Sequence, residues 1–217
     1  HWEVDVLHDP LKVVTSETAD HFFWTQMRGD DPKHSLIQDR IFLELPYRAA
    51  NIDKMFRLRV CFQGLTYARG ASNHKVDIIL NGETVGTAEW EGQTEHIIEV
   101  TASQTILRRN NHFWLHCQDD NGTYDKVMND PLYSGPEWDI YLNWVEMDYW
   151  RELIADDNRL EFSTETIPPV TKTVQYSISG FSGPKAEVFQ IDRAGAIAKI
   201  INPSVIKEED GSYTTVF

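Results

Sequence analysis

The chain has 217 residues, with a hydrophobic fraction of 41% and an aromatic fraction of 12%, a composition that supports a packed core and argues against disorder. Its formal net charge of −14 argues against nucleic acid as a partner, because phosphate binding needs clustered Lys and Arg. No apolar run approaches the roughly 18 residues of a membrane helix, so no membrane insertion is expected.

Alternating apolar and polar residues run along most of the chain, and this period of two indicates β-strands. Asn81 and Gly82 stand between two such runs, and this dipeptide is typical of a type I′ hairpin turn, which needs positive φ at both central residues. Helical turns are expected only within residues 52–55 or 102–107. In chain order, the predicted strands are residues 3–7, 21–27, 40–45, 55–63, 75–80, 83–90, 96–100, 112–118, 140–149, 160–163, 174–181, 186–192, 197–201 and 213–217.

Many short strands separated by turn residues predict an all-β fold, an antiparallel β-sandwich of jelly-roll type with a short C-terminal β extension. The Pro168-Pro169 pair favours an extended segment that cannot be a central strand. We therefore predict a sandwich at residues 1–163, a proline-containing linker at 164–173 and a small β extension, or the start of a further module, at 174–217.

The two cysteines fall on opposite faces of their predicted strands. Cys61 shares a phase with Arg57 and Arg59, whereas Cys117 shares the apolar phase of its strand. Opposite faces favour two free thiols over a disulfide, although a bulge would reverse that assignment. Neither cysteine lies on a turn or helix N-terminus that would lower its pKa, so no cysteine nucleophile is predicted.

Residues 119–137 form an acidic connection of a length that is uncommon in a compact domain without a functional reason. Its carboxylates and backbone carbonyls are the hard oxygen ligands that Ca²⁺ prefers, although the spacing does not match an EF-hand. Simple solvation of an acidic loop is the alternative. The candidate calcium ligands are Asp119, Asp120 and Asp125.

Aromatic residues in or beside this loop, and at the end of one hairpin strand, could stack on a sugar. Pyranose rings have apolar faces that lie on Trp or Tyr, while amides and acids bind the hydroxyls. Packing within the loop is the alternative, and the tryptophans at positions 24, 114, 144 and 150 are expected in the core or between modules. The candidate ligand-binding residues are Trp90, Tyr124, Tyr133 and Trp138.

No transition-metal or catalytic site is predicted. His112, Trp114 and His116 share one strand face, but residues four apart on a strand are about 13 Å apart, too far for two histidines to chelate one ion. No motif singles out a carboxylate pair for glycoside hydrolysis. The chain by itself is therefore not expected to be an enzyme.

Four stretches resemble one known family. Residues 139–162, DIYLNWVEMDYWRELIADDNRLEF, resemble the (Y/F)LDW(I/V)E(V/M)xYxRxL…L.F segment before the catalytic domain of gingipain-like cysteine peptidases. Residues 19–24 (ADHFFW) and 74–90 (HKVDIILNGETVGTAEW) resemble the opening segment and a hairpin of the same region. Residues 186–192 (AEVFQID), with residues 197–201, resemble the strand pair that leads toward the peptidase domain.

The resemblance implies a non-catalytic β module in secreted or surface proteins of bacteria. Asn143 and Trp150 replace an Asp and a Pro of the family pattern, and the family's catalytic His and Cys motifs match nothing in the chain. The hairpin is also similar to those of carbohydrate-binding jelly rolls.

Two hypotheses follow. The first is an extracellular module that binds a polysaccharide or glycan, with Ca²⁺ as its candidate cofactor. The alternative is a docking domain that packs against an adjacent peptidase domain, and it predicts an exposed apolar patch on the C-terminal strands.

Overall fold

The computed structural model describes residues 1–8, 22–28, 36–50, 52–66, 74–117, 139–163, 173–192 and 194–217. It contains two compact units, His1–Trp150 and Arg151–Phe217. Residues 151–163, assigned to the sandwich from the sequence, thus group with the C-terminal strands. The predicted linker at 164–173 lies outside the described residues except for its last residue.

Backbone hydrogen bonds explain why residues 151–163 belong to the second unit. The Ala155 amide donates to the Ser179 carbonyl at 2.8 Å, and the Ser179 amide donates to the Leu153 carbonyl at 3.1 Å. The turn predicted near Asp157 and Asn158 is present, with both residues at positive φ, but the strand predicted at 160–163 is not formed.

The first unit, His1–Trp150, is a β-sandwich, which confirms the predicted all-β class. One sheet has the order β1-β11-β6-β9, with β4 also paired to β11, and the other has the order β5-β10-β7-β8; β2 and β3 form a separate pair. A 3-10 turn at Gln104–Ile106 confirms the second of the two predicted helical turns. The strands are β1 (Trp2–Glu3), β2 (Leu7–His8), β3 (Phe22–Phe23), β4 (Thr25–Arg28), β5 (Leu36–Glu44), β6 (Met55–Gly64), β7 (His74–Leu80), β8 (Glu83–Trp90), β9 (Glu95–Ser103), β10 (Asn110–Cys117) and β11 (Asp139–Asp148).

The core lies between the two sheets because each strand turns its apolar phase inward. In β6, Phe56, Leu58 and Val60 are buried, whereas Arg57 and Arg59 point outward. The facing sheet contributes the buried residues Ile41, Val76, Ile78, Leu80, Phe113 and Leu115.

The predicted hairpin between β7 and β8 is confirmed. Asn81 and Gly82 form its two-residue turn with φ of 54° and 91°. The side-chain nitrogen Nδ2 of Asn81 donates to the Ile106 carbonyl and to Asn111 Oδ1, both at 2.9 Å. Asn81 Oδ1 accepts a hydrogen bond from the backbone amide of His112 at 3.0 Å. The turn is thus fixed to β10 and to the 3-10 turn, as well as to its own strands.

The second unit, Arg151–Phe217, contains a three-stranded sheet of order β12-β16-β15 and a separate β13–β14 hairpin. Sequence patterning missed β15, whose four residues are all exposed and therefore show no inward phase. In the described part of the chain, no helix is long and apolar enough to cross a bilayer. The strands are β12 (Ser177–Phe181), β13 (Val188–Ile191), β14 (Ile197–Ile200), β15 (Ser204–Lys207) and β16 (Tyr213–Val216).

Candidate functional site

Trp90, a predicted stacking residue, lies in the core at the end of β8. Its side chain is 7% exposed and stacks on Phe62 and His96, with ring centroids 5.5 and 4.9 Å away. The His74 ring lies 4.7 Å from it. A tryptophan covered in this way offers no ring face to a sugar, so the structure places Trp90 among the residues that stabilise the sandwich.

The two histidines beside Trp90 are held in their neutral form. Burial lowers the pKa of His74 to about 4, although a hydrogen bond from its Nε2 to the Gly92 carbonyl, at 3.2 Å, acts in the opposite direction. Burial also lowers the pKa of His96. These imidazoles therefore pack as aromatic rings at neutral pH.

The other predicted ligand and calcium residues lie outside the described residues, and their roles stay predictions. Among the residues that the structure does describe, no group of three or more His, Cys, Asp or Glu side chains is placed to hold a metal ion. The residues concerned are Tyr124, Tyr133, Trp138, Asp119, Asp120 and Asp125.

A row of aromatic and imidazole rings occupies the outer side of the sheet β5-β10-β7-β8. His112, Trp114 and His116 alternate with the buried residues of β10 and are all partly exposed. Phe42, on β5, is 55% exposed and meets the His112 ring edge-on at a centroid distance of 4.9 Å. We call this side the aromatic face and define it by Phe42, Asp77, His112, Trp114 and His116.

Polar groups flank this row on the neighbouring strand β7. The Asp77 carboxylate accepts a hydrogen bond from the Thr87 hydroxyl at 2.7 Å and lies 3.8 Å from His116 Nδ1. Next to them, Lys75 and Glu89 form an ion pair at 2.9 Å. The aromatic face thus places apolar ring surface beside fixed hydrogen-bonding groups.

Trp114 was expected in the core or between modules, and the structure places it outside the core, on the aromatic face. Its indole nitrogen is buried while the side chain as a whole is partly exposed, so the surface it shows to solvent is ring carbon. The signal that could have found it was the phase of β10, because Phe113, Leu115 and Cys117 already fill the inward positions.

The outer side of the other sheet has a different character. Arg57 pairs with Asp148 and Glu99, and Arg59 pairs with Glu146 at 2.7 Å. Such exposed pairs are worth little in stability, and their charges are already matched. Of the two sheets, the one that carries the aromatic face is therefore the better candidate for binding a ligand.

Neither cysteine forms a disulfide, which agrees with the opposite phases of their strands, and both are buried. The burial of Cys61 was not predicted, because its phase is that of Arg57 and Arg59. Cys117 is 3% exposed, and burial, with a smaller contribution from Asp139, raises the pKa of its thiol to about 12. Cys61 is fully buried. A thiol of this kind is a poor nucleophile because it is neither ionised nor accessible.

We expect neither cysteine to react with Ellman's reagent in the folded protein at about pH 8, because the reagent needs an accessible thiolate. Both should react once the protein is unfolded in guanidinium chloride without reductant. Rapid labelling of the native protein would contradict the burial of Cys61 and Cys117, and an absence of labelling after unfolding would show that they are joined in a disulfide.

Apolar side chains are exposed on the second unit. In the β13–β14 hairpin, Ile191 and Ile197 are directly opposed in register and are 63% and 68% exposed. Phe189 is 51% exposed, and Ile206, on β15, is also 51% exposed. The docking hypothesis predicted this kind of surface on the C-terminal strands.

No protein-family model matches the sequence, and no curated protein matches it either. Among solved structures, the chain is similar to dimeric latent PorU from Porphyromonas gingivalis, with a TM-score of 0.57 and 9% identity. The match covers 99% of this chain and 18% of the PorU chain. At this identity it establishes the fold alone, and at that level it confirms the resemblance to the region before the catalytic domain of gingipain-like peptidases.

Two sugar-binding structures are also similar, at TM-scores too low to carry an argument about this chain. One is the C-terminal domain of EclA, a sugar-binding protein, with a TM-score of 0.38 and 9% identity over 66% of this chain and 89% of that one. The other is the carbohydrate-binding module CBM36 in complex with calcium and xylotriose, with a TM-score of 0.30 and 14% identity over 58% of this chain and 100% of that one.

Proposed function

We propose that this chain is a non-catalytic module of a longer, secreted or cell-surface bacterial protein, and that its C-terminal unit docks on a neighbouring domain. The observation that carries the proposal is the exposed apolar surface of the β13–β14 hairpin. The sequence resemblance supplies the kind of partner, a caspase-like peptidase domain in the same polypeptide.

The β13–β14 hairpin is rich in apolar residues, as buried strand pairs are, but most of its side chains are exposed. Ile191 and Ile197 lie side by side on one face, and Phe189 lies on the same face opposite Lys199. Single exposed apolar residues are normal in soluble proteins, but neighbours on paired strands form a contiguous patch of the kind found at interfaces. Lys199, whose Nζ is 5.7 Å from the Phe189 ring and pairs with Glu187, adds a polar rim.

Hydrogen–deuterium exchange tests the docking proposal by comparing this chain alone with the full polypeptide that contains it. We expect the amides of β13 and β14 to exchange at least about tenfold more slowly in the full polypeptide, because docking adds protection to an exposed hairpin. Combined Ile191→Ser and Ile197→Ser substitutions should remove this difference by deleting the apolar contact.

The matched control is Ile97→Ser, at a 48% exposed position of β9 in the sandwich, which should leave the exchange of the hairpin unchanged. Equal exchange rates in the two proteins, or a double variant that keeps its protection, would overturn the docking proposal.

Glycan binding is the second candidate function, and the aromatic face is the observation that favours it. The loop residues Tyr124, Tyr133 and Trp138, with Asp119 and its acidic neighbours as calcium ligands, remain a further proposal for the same function. Binding to a glycan array with and without a calcium chelator tests the role of the metal, since only a calcium-dependent site loses its retention when the chelator is added.

A further inference from the structure

The aromatic face has the layout that a sugar chain needs. Trp114 presents ring carbon at its centre, and Phe42, on the neighbouring strand β5, presents a ring that is 55% exposed beside His112. Such surfaces suit the apolar faces of pyranose rings. From His112 to His116 the row extends over about 13 Å, long enough for more than one ring.

Hydrogen-bonding groups lie on the same side of the sheet as the exposed rings. The Asp77 carboxylate accepts a hydrogen bond from the Thr87 hydroxyl at 2.7 Å and lies 3.8 Å from His116 Nδ1. An ionised carboxylate accepts hydrogen bonds at both oxygens, as the hydroxyls of a sugar would require. His112 and His116 add ring nitrogens on either side of Trp114.

Charge decides which class of glycan fits. The chain carries a formal net charge of −14, and the aromatic face includes Asp77 next to the Lys75–Glu89 ion pair. An anionic polysaccharide would be repelled by the protein as a whole, since the field of the whole chain acts on a charged partner. A neutral glycan is not repelled by this field.

We propose that the aromatic face binds a neutral polysaccharide chain that lies along β10. Trp114 and Phe42 stack on its rings, and Asp77, His112 and His116 bind its hydroxyls. This site deepens the second candidate function given above and uses no residue of the docking hairpin, so either proposal can fail without the other.

Affinity electrophoresis through gels that contain soluble neutral polysaccharides tests the site, with xylan, β-glucan and mannan as separate probes. A gel with polygalacturonate serves as the acidic comparison. We expect retention by at least one neutral polymer and loss of at least about tenfold in affinity for Trp114→Ala, because stacking contributes much of the binding energy. Phe42→Ser, at an exposed position that is not part of the core, should weaken retention without affecting folding.

Trp144→Ala is the matched control, since Trp144 is partly exposed on the outer side of the opposite sheet, on β11. It should bind as the unmodified protein does, and circular dichroism should show that all variants are folded. Retention by the acidic polymer alone would overturn the proposal, as would no retention by any polymer. If Trp138→Ala loses retention while Trp114→Ala and Phe42→Ser keep it, the proposal is also overturned, and the loop that contains Trp138 becomes the candidate binding site.

Discussion

Replacing Gly64 by alanine is expected to lower the free energy of unfolding of the sandwich unit by about 3 kcal/mol, because the added methyl group has no room. A Cβ built at this position would lie 2.2 Å from the Gly92 carbonyl oxygen, 2.7 Å from His74 Nε2 and 3.0 Å from Trp90 Nε1. The first of these atoms belongs to the backbone and cannot move away by a side-chain rotation. Relief of the clash therefore requires β6 or the loop at Gly92 to shift.

Tryptophan fluorescence during denaturant unfolding measures this effect, since all seven tryptophans lie within residues 1–150. Gly183→Ala is the control, because a Cβ there meets nothing within 4 Å, and it should change stability by less than about 0.5 kcal/mol. Equal midpoints for the unmodified protein and Gly64→Ala would show that the packing around Trp90 is looser than the structure indicates.

Acidification should destabilise the sandwich unit through His74. The pKa of this histidine is about 4 in the folded protein and 6.5 as a model value, so the unfolded state binds more protons between those limits. The contribution of His74 to stability is therefore fully present above about pH 6.5 and is lost as the pH falls toward about 4. The loss amounts to about 3 kcal/mol, and the lowered pKa of His96 adds to it in the same direction.

The measurement is the free energy of unfolding at a series of pH values for the unmodified protein and for His74→Gln. Glutamine keeps a donor for the Gly92 carbonyl but does not titrate, so the variant should lose less stability than the unmodified protein over this pH range. Parallel curves for the two proteins would contradict the assignment of the acid sensitivity to His74.

Both predictions concern the surroundings of Trp90, where inference from sequence was weakest. Trp90 was predicted to stack on a ligand because it ends a hairpin strand, and Trp114 was expected in the core or between modules. The structure buries Trp90 and leaves Trp114 partly exposed. Trp90 is covered by Phe62, His74 and His96, which lie on three other strands, and nothing in its own strand signals their approach.

The boundary between the two units was likewise not readable from the chain. Pro168-Pro169 favoured a division of the chain near residue 164, whereas the first compact unit ends at residue 150 and the second begins at residue 151. Residues 151–163 carry no strong strand pattern of their own, and their membership in the second unit depends on the pairing with Ser179, more than 20 residues away.

The all-β class, most of the strands and the turn at Asn81 and Gly82 could be predicted from the sequence, because they depend on local alternation and on the conformational needs of single residues. The phases of the two cysteines favoured thiols over a disulfide but did not predict the burial of Cys61. The exposure of each tryptophan, the end of the sandwich and the exposure of the β13–β14 hairpin followed only from the three-dimensional fold, because burial depends on neighbours that are distant in the chain.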